Sequence, residues 1–381
     1  MSAVRPVTLA RHDLVHPDGR AFHLYGHIAD ETVGELARQP ADNGHDPSHL
    51  HRRFDRLTAT WVLVSPTRNV RPSAAVNGEQ APSCPLCPGG GELPGMFDVA
   101  VFDNRFPSLS PFAPDVSGAL VASSHGRCEV VVYTPEHVVG IGDLSPQQFA
   151  DVIAVWRDRA AALWAEGHAY VMAFENHGND VGATLAHLHG QIYALDHLPP
   201  VIENKLAAHR DHRRTDGTCL GCTLVLDDGV SGRVIHDTEH FVTAVPFAAR
   251  WPLEVHVRAK HHGVGRLADL DDAAALDLVQ SLSEVVRSYD AMWDFALPYL
   301  MCVQEAPAAG HGQVEDWHLH VELLPPHRNA ARLKVRASVE TALGVFINDT
   351  VPEDIATTLA AVEAPALDWS GVRMRTITGP A

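Results

Sequence analysis

Two histidines and a glutamine occupy alternate positions in the segment His187-Leu-His189-Gly-Gln191. On a β-strand, side chains at alternate positions share one face, so these three are expected to point the same way. Gly190 between them leaves room for another group to approach the backbone closely. Such a face can offer an imidazole nucleophile, a metal ligand and an amide that donates to an oxyanion. For an isolated segment, a strand with polar side chains facing solvent is the more ordinary interpretation.

Four of the six cysteines form two Cys-X-X-Cys pairs, Cys84 with Cys87 and Cys219 with Cys222. In a chain of cytosolic character a disulfide framework is not expected, and this spacing indicates a metal site or a thiol redox site. A redox pair of the thioredoxin type opens a helix, whereas Cys87 runs into a Pro-Gly-Gly-Gly turn that cannot start one. Metal binding is therefore favoured for the first pair.

These motifs belong to an internal sequence duplication. The His187–Gln191 segment is echoed by His318-Leu-His320-Val-Glu322 roughly 130 residues later. Glu129–His137 corresponds to Glu254–His262, helical patterns follow at the same place in each copy, and the Cys-X-X-Cys pairs repeat at a similar distance. The recurrence of these features in one order indicates a duplicated module.

Both copies predict the same elements: a Cys-X-X-Cys loop, strands, a helix with a polar cap, and strands ending in the His-X-His segment. Asp143 or Ser145 is expected to cap the first helix, and Asp269 or Asp271 the second. Further predicted elements are a hairpin at Asp18-Gly19, strands at Tyr170–Glu175 and His189–Ala194, and a helix at Glu353–Val362. This pattern predicts an α+β fold of duplicated modules, in which antiparallel sheets have flanking helices.

Composition limits the class of protein. The 381 residues suit two domains of common size, and 46% apolar with 20% charged residues is the balance of a globular protein. A formal net charge of −18 argues against nucleic acid as a general partner. No apolar run reaches membrane-spanning length and no signal-peptide core is visible, so a cytoplasmic location is expected.

The residues also carry a family resemblance. His187-Leu-His189-Gly-Gln191 resembles the HPHGQ signature of galactose-1-phosphate uridylyltransferases, a branch of the histidine triad superfamily, with leucine in place of the usual proline. Three more blocks resemble that family in the same order: His51–Thr58 with Trp61–Pro72, Val101–Pro107, and Phe174–Asn176. The resemblance covers most of the chain and implies a histidine-triad-like fold.

The resemblance implies that His189 accepts UMP and that Gln191 donates its amide to the phosphoryl oxygens. A neutral imidazole is available at pH 7 and forms covalent intermediates. Histidine triad hydrolases usually have a third histidine where this chain has Gln191. Because a glutamine cannot protonate a leaving group, this position favours transfer over hydrolysis.

Substrate contacts are likewise implied by position in the matching blocks. Guanidinium groups suit phosphate geometry, and stacking with hydrogen bonding suits a base. The implied residues are Arg68 and Arg71 near the phosphates, Phe102 and Asn104 at the uridine, Asn176 and Thr184 on the phosphate side, and Lys334 and Glu340 near the sugar. Solvated arginines and core residues are the ordinary alternatives.

The resemblance implies structural zinc in the first copy, and the duplication extends that prediction to the second. The two predicted ligand sets are Cys84, Cys87, His137 and His187, and Cys219, Cys222, His262 and His318, with His261 as an alternative to His262. Some family members carry iron in the second half. Here Glu322 and Gln304 stand at positions where histidines are usual, so iron is not expected.

The predicted organisation is an N-terminal extension (1–50), a first module with nucleophile and zinc (51–200), a second module (201–345) and a C-terminal helix and tail (346–381). The predicted function is transfer of UMP between UDP-glucose and galactose 1-phosphate through uridylyl-His189, in a homodimer. Two alternatives stay open. One is a related nucleotidyltransferase or phosphorylase acting on a different sugar 1-phosphate or nucleotide sugar, and the other is a non-catalytic nucleotide-binding homologue.

Overall fold

The protein is described from a computed structural model, which covers residues 7–16, 18–28, 46–70, 84–93, 95–311 and 314–379. Arg71, one of the predicted phosphate contacts, lies outside these residues. Among the helices of the described ranges, none has the length and apolar character needed to cross a bilayer.

The strands in chain order are β1 Thr8–Val15, β2 Ala21–Tyr25, β3 His51–Asp55, β4 Thr60–Val64, β5 Val99–Asp103, β6 Ser117–Gly118, β7 Val121–Ser123, β8 Gly126–Val132, β9 Tyr170–His177, β10 His189–Leu195, β11 Val234–Asp237, β12 Phe241–Ala244, β13 Val255–Ala259, β14 Tyr299–Gln304, β15 His320–Leu324, β16 His327–Asn329, β17 Arg332–Leu333 and β18 Thr376–Thr378. A twelve-stranded sheet has the order β11-β12-β13-β15-β14-β9-β10-β8-β5-β2-β1-β18. Its pairs are antiparallel except for β1 with β18, and β4-β3-β7-β6 and β16-β17 form two smaller sheets.

The sheet repeats itself about its centre, where β14 pairs with β9. Outward from that pair, the strands β9-β10-β8-β5 on one side correspond to β14-β15-β13-β12 on the other. The predicted duplication is therefore visible as two four-stranded halves of one continuous sheet. The α+β fold with antiparallel sheets is confirmed.

The helices are α1 Pro146–Ala165, α2 Pro200–Asp216, α3 Leu220–Val230, α4 Asp272–Met292, α5 Ser338–Leu343 and α6 Pro352–Ala360. Ser145 caps α1 by accepting from the Gln148 N–H, and Asp271 caps α4 by accepting from the Ala274 N–H. The two other candidate caps, Asp143 and Asp269, instead accept from backbone N–H groups of the short turns that precede these helices. A polar side chain thus satisfies one of the first backbone donors of α1 and of α4.

The long helices α1 and α4 pack against each other, and with the sheet they enclose the main core. Ile192 and Ala194 of β10 belong to this core. Because strand side chains alternate between faces, His189 and Gln191 face away from the helices. The nucleophile candidate therefore lies on the open face of a strand whose other face is buried.

Residues predicted as an N-terminal extension contribute strands to the large sheet. β1 and β2 form an antiparallel hairpin with Asp18 and Gly19 at its turn, as predicted, and β2 pairs with β5 of the first module. Gly19 has φ +88°, a backbone conformation that glycine adopts without strain. Near the other end of the described residues β18 pairs with β1, so the first and last described strands lie together at one edge of the sheet.

Candidate active site and metal-ligand clusters

His189 is the first residue of β10, and a backbone contact fixes its tautomer. Its Nδ1 lies 2.8 Å from the carbonyl oxygen of His187. A carbonyl oxygen only accepts, so Nδ1 of the neutral ring carries the proton and Nε2 carries the lone pair. The strand thus presents the nitrogen that has nucleophilic character.

Close packing behind the nucleophile explains Gly190. A Cβ built at this position would lie 2.1 Å from the Tyr133 hydroxyl oxygen and 2.9 Å from the Phe174 carbonyl oxygen. The group whose close approach the sequence predicted is therefore the side chain of Tyr133. Any larger residue at position 190 forces β10 or Tyr133 to move.

The side chain of Gln191 is oriented by a relay that begins at a backbone donor. The Phe106 N–H donates to Asn104 Oδ1 (2.8 Å), and Asn104 Nδ2 donates to Gln191 Oε1 (3.2 Å). Since a backbone N–H cannot accept, it fixes the orientation of the Asn104 amide, which in turn fixes that of Gln191. Gln191 is left with its NH2 group as the donor on this face.

A cavity of about 140 Å³ opens beside these groups. Five of the predicted residues line it, namely His189, Gln191, Phe102, Asn104 and Thr184. Phe102 and Val130 supply apolar surface, and Phe102 stacks on Phe22 with ring centroids 5.0 Å apart. Apolar walls with a few convergent polar groups are typical of a small-molecule site.

Several residues that line this cavity were not predicted from the sequence. Arg105 and Phe106 lie inside the Val101–Pro107 block, so their position in that block was an available signal. Glu92 also lines the cavity, and its Oε2 accepts from Arg20 at 2.8 Å. No sequence signal connects these two residues, because they lie 72 positions apart and on different elements.

The other predicted substrate contacts lie outside this lining. Arg68 donates to Ser108 Oγ (3.1 Å) and, more weakly, to the Tyr193 hydroxyl (3.4 Å). Burial raises the pKa of Tyr193 to about 12, so its hydroxyl stays neutral beside the guanidinium. Asn176 is half-buried on β9, opposite Leu300 of β14.

Lys334 and Glu340 form an ion pair with each other. Lys334 Nζ lies 2.9 Å from Glu340 Oε1 and donates to the carbonyl oxygens of Arg250 and Ile347 at 2.6 Å each. Glu340 in turn accepts from the Ile347 N–H at 3.2 Å. These contacts hold the segment after β17 against the body of the second module.

The first predicted metal set converges on one point. Its four ligand atoms all lie within 4.8 Å of one another. Cys87 Sγ is 3.3 Å from His137 Nδ1 and 3.5 Å from His187 Nδ1, and Cys84 Sγ is 3.8 Å from His187 Nδ1. Tetrahedral zinc places sulfur and nitrogen ligands about 3.6 Å apart, so the set fits zinc.

His187 joins this cluster from just before β10, which begins at His189 rather than at His187. Its Nε2 lies 2.9 Å from the Thr134 carbonyl oxygen and its Nδ1 faces the cysteines. A second-sphere carbonyl of this kind fixes the tautomer of a metal-binding histidine. Leu188 between the two histidines is buried in the core.

The second predicted set converges in the same way, with all four ligand atoms within 4.8 Å. His318 Nε2 is 3.5 Å from Cys219 Sγ and 3.4 Å from Cys222 Sγ, and Cys222 Sγ is 3.8 Å from His262 Nδ1. His318 Nδ1 lies 2.8 Å from the Ala259 carbonyl oxygen. A Cβ at Gly221 would lie 2.3 Å from the His318 ring, so the ring needs a glycine there.

A lysine side chain lies beside His320 and Glu322, in the segment where an iron site was considered and not expected. Lys205 Nζ, from α2, lies 2.9 Å from His320 Nε2 and 2.7 Å from Glu322 Oε1. An ammonium group thus supplies the positive charge between these two side chains. This contact was not anticipated, because the link between α2 and β15 spans 115 residues or more.

Family profiles match both halves of the chain. The profile described as galactose-1-phosphate uridyl transferase, N-terminal domain, matches residues 41–199, and the corresponding C-terminal domain matches residues 223–370. A galactose-1-phosphate uridylyltransferase of Thermotoga maritima is 38% identical over 320 residues, which cover 82% of this chain and 99% of that protein. An ADP-glucose phosphorylase of Arabidopsis thaliana is 27% identical and covers 81% of this chain and 92% of that protein.

Solved structures resemble the fold over the same extent. A structure described as uridylyltransferase has a TM-score of 0.73 at 30% identity and covers 82% of this chain and 98% of its own. An ADP-glucose phosphorylase from Arabidopsis thaliana with bound ADP-glucose has a TM-score of 0.64 at 24% identity, covering 82% of this chain and 99% of its own. The second likeness concerns the fold alone.

Proposed function

The chain belongs to the galactose-1-phosphate uridylyltransferase family, and we therefore propose that it transfers UMP between UDP-glucose and galactose 1-phosphate through a uridylyl-His189 intermediate. One observation carries the mechanism. His189 Nδ1 is held at 2.8 Å by the His187 carbonyl oxygen, which leaves the lone pair on Nε2 at a cavity that Gln191 also lines. Family membership alone does not supply that geometry.

In the first half-reaction, His189 Nε2 attacks the α-phosphorus of UDP-glucose. The bond from that phosphorus to the bridging oxygen breaks, and glucose 1-phosphate leaves with the electron pair. No proton has to reach this leaving group, because a sugar 1-phosphate departs as a stable anion. The Gln191 NH2 group donates to the phosphoryl oxygens as their charge rises, which is stabilisation of the oxyanion type.

In the second half-reaction, a phosphate oxygen of galactose 1-phosphate attacks the same phosphorus. The phosphorus–nitrogen bond breaks, UDP-galactose forms and the His189 lone pair is restored. Throughout both steps the proton stays on His189 Nδ1, which donates to the carbonyl oxygen of His187, and this contact stabilises the positive charge of the phosphorylated ring. One histidine thus serves as leaving group and nucleophile in turn.

Zinc is the metal proposed for both four-residue clusters. Two thiolates with two imidazoles form a closed tetrahedral set, so zinc there supplies structure and takes no part in the transfer steps. In the first cluster the residues between the two cysteines, Pro85 and Leu86, themselves line the nucleotide cavity. The metal would thereby fix one wall of that cavity and the start of the nucleophile strand.

A homodimer is proposed for the assembly, on the family resemblance. Lys334 and Glu340, which the resemblance places near the sugar, also form an ion pair that orders the segment between them. Sedimentation velocity of the zinc-loaded protein at micromolar concentration tests this assembly. A monomer that is fully active would overturn it.

The experiment that tests the function is intact mass under neutral conditions, after the protein is mixed with UDP-glucose and no acceptor. We expect an adduct of the mass of UMP, which disappears when galactose 1-phosphate is added. The variant His189→Ala should form no adduct. Arg214→Ala, an exposed change outside the cavity lining, serves as the matched control and should form it normally.

Tests with other nucleotide sugars distinguish between the alternative functions. An adduct from ADP-glucose but not from UDP-glucose would keep the covalent mechanism and change the substrate to that named for the Arabidopsis relative. Nucleotide binding without an adduct from any donor would contradict catalysis through His189 and leave a non-catalytic binding protein.

A further inference from the structure

A second and larger cavity lies in the second module. Its volume is about 700 Å³, within the range of small-molecule sites. It is bounded by α2 and α3 on one side and by β13 and β15 on the other. The proposed transfer uses none of the residues that line it.

Strand register relates this cavity to the nucleotide cavity. In the first half His189 pairs with Val132 and Gln191 with Val130, and in the second half His320 pairs with Arg258 and Glu322 with His256. Both cavities therefore lie against the corresponding strands. The two valines of the first half are replaced by an arginine and a histidine, so the second cavity has a charged floor.

Charged groups of both signs line this cavity. Four cations and four carboxylates balance formally; three of the carboxylates are buried and the fourth, Asp227, is exposed. The cations are Lys205, Arg233, Arg250 and Arg258, and the buried carboxylates are Asp228, Glu254 and Glu322. In a chain of net charge −18, such a cluster is a local feature rather than a consequence of composition.

Two of the cations are poorly paired. Arg258 is 8% exposed, and its Nε has no hydrogen-bond partner; the nearest carboxylate oxygen, on Asp228, is 3.6 Å away. Arg250 reaches Glu254 and Glu322 only at 3.9 and 3.7 Å. These separations exceed hydrogen-bond length, and a buried donor without an acceptor is costly. The unpartnered Arg258 Nε and the part-buried Arg250 guanidinium are donors that could bind a phosphate.

The same site is not built for covalent transfer. His320 Nδ1 lies 2.8 Å from the His318 carbonyl oxygen, which repeats the arrangement at His189. Its Nε2, however, lies 2.9 Å from Lys205 Nζ, and an ammonium group can only donate. The lone pair that would attack phosphorus is therefore engaged, so a ligand would bind without forming an adduct.

We propose that this second cavity is a non-catalytic nucleotide-binding site, in which Arg258 and Arg250 hold the phosphate. Leu220, Leu224 and the exposed ring of Phe247 form the apolar wall against which a base packs. The site is independent of the proposed transfer activity and would make each chain bind two nucleotides.

Equilibrium dialysis of the full-length, zinc-loaded protein with radiolabelled UMP and, separately, AMP tests this site. At least one of the two is expected to bind at two per chain. Two substitutions should each lower the nucleotide affinity of the second site at least tenfold. Arg250→Ala removes the half-buried guanidinium, and Arg258→Lys keeps the buried charge but loses the two-pronged donor geometry. Neither should change UMP transfer by more than about twofold.

Arg214→Ala removes an exposed cation that does not line the cavity, so this variant should bind two nucleotides per chain as the parent does. One nucleotide per chain with both probes would overturn the proposal. So would a second nucleotide whose affinity is unchanged by both arginine substitutions. Since binding is measured directly, failure of the transfer reaction would not affect either outcome.

Discussion

At the scale of single residues, the site depends on whether the Gln191 side chain presents its oxygen or its NH2 group to the cavity. Gln191 can offer either oxygen or NH2, and only NH2 stabilises a phosphoryl oxygen. The orientation is set two hydrogen bonds away, by the Phe106 N–H acting through Asn104. Asn104 was predicted as a base contact, and the structure gives it this positioning contact as well.

The variant Asn104→Asp tests that relay. A carboxylate still accepts from the Phe106 N–H but cannot donate to Gln191, so the Gln191 amide should rotate and present its oxygen to the cavity. We expect kcat for transfer to fall by about 10²-fold, comparable to removal of one oxyanion donor. Single-turnover formation of the His189 adduct measures this step.

The control for this test is Gln191→Met, which removes the donor itself while keeping a similar volume. If the relay acts through Gln191, the double variant should be no slower than the slower single variant, because both changes remove one interaction. Fully additive losses would contradict the relay and leave Asn104 as a direct substrate contact.

At the scale of elements, the Cys-X-X-Cys segments differ although their ligand sets match. The first is a run of turns, as the Pro-Gly-Gly-Gly sequence predicts, whereas the second opens α3, with Cys219 Sγ accepting from the Cys222 N–H at 3.4 Å. A helix start alone would suggest thiol redox chemistry. The nearby His262 and His318 are what favour metal.

Metal analysis tests both clusters together. The purified protein is expected to hold two zinc ions per chain, and Cys84→Ser and Cys222→Ser should each hold one. Cys84→Ser should also lose most transfer activity, because the loop lines the nucleotide cavity, whereas Cys222→Ser should retain it. Cys302→Ser, half-buried and in neither cluster, should keep both ions.

A specific result would contradict the second zinc site. One zinc per chain in the parent protein, with Cys219 alkylated readily under native conditions, would contradict it. Cys219 is 6% exposed, so rapid alkylation would mean that the segment opens without metal.

Local signals were sufficient for many of these elements. The Ser145 and Asp271 caps, the Asp18-Gly19 hairpin and the alternation of His189 with Gln191 depend on neighbours in sequence, so patterns within a few residues predicted them. The parallel pairing of β1 with β18 and the Arg20–Glu92 contact join distant segments. Such contacts are decided by packing of the whole chain, which no local pattern encodes.

At the scale of the whole molecule, the duplication produced one sheet rather than two separate layers. The central pair β9–β14 joins the halves, and the ligand sets of both copies fall at matching places along them. Internal repetition was readable from sequence because aligned motifs keep their spacing. The sequence did not predict how the second half differs, because Lys205, which contacts Glu322, comes from a helix outside the repeated motifs.

The centre of that sheet also holds a carboxyl group whose ionisation opposes folding. Burial raises the pKa of Glu175 to about 8, although its Oε1 accepts from the Tyr299 hydroxyl at 3.2 Å. The unfolded chain releases this proton near pH 4.5, so between about pH 4.5 and 8 the native state binds one more proton than the unfolded state. Stability should therefore fall as pH rises through that range.

Glu175→Gln removes this titration while keeping the size of the side chain. Relative to the parent, the variant should gain free energy of unfolding between pH 5.5 and 8.5, on the order of 4 kcal/mol at most. Urea unfolding of the two zinc-loaded proteins at both pH values measures the change. The other titrating groups, among them the nearby His177 and Asp290, are present in both proteins, so their contributions largely cancel in the difference. Parallel pH profiles for parent and variant would mean that Glu175 is ionised in the folded sheet throughout this range, with its charge compensated by neighbouring groups.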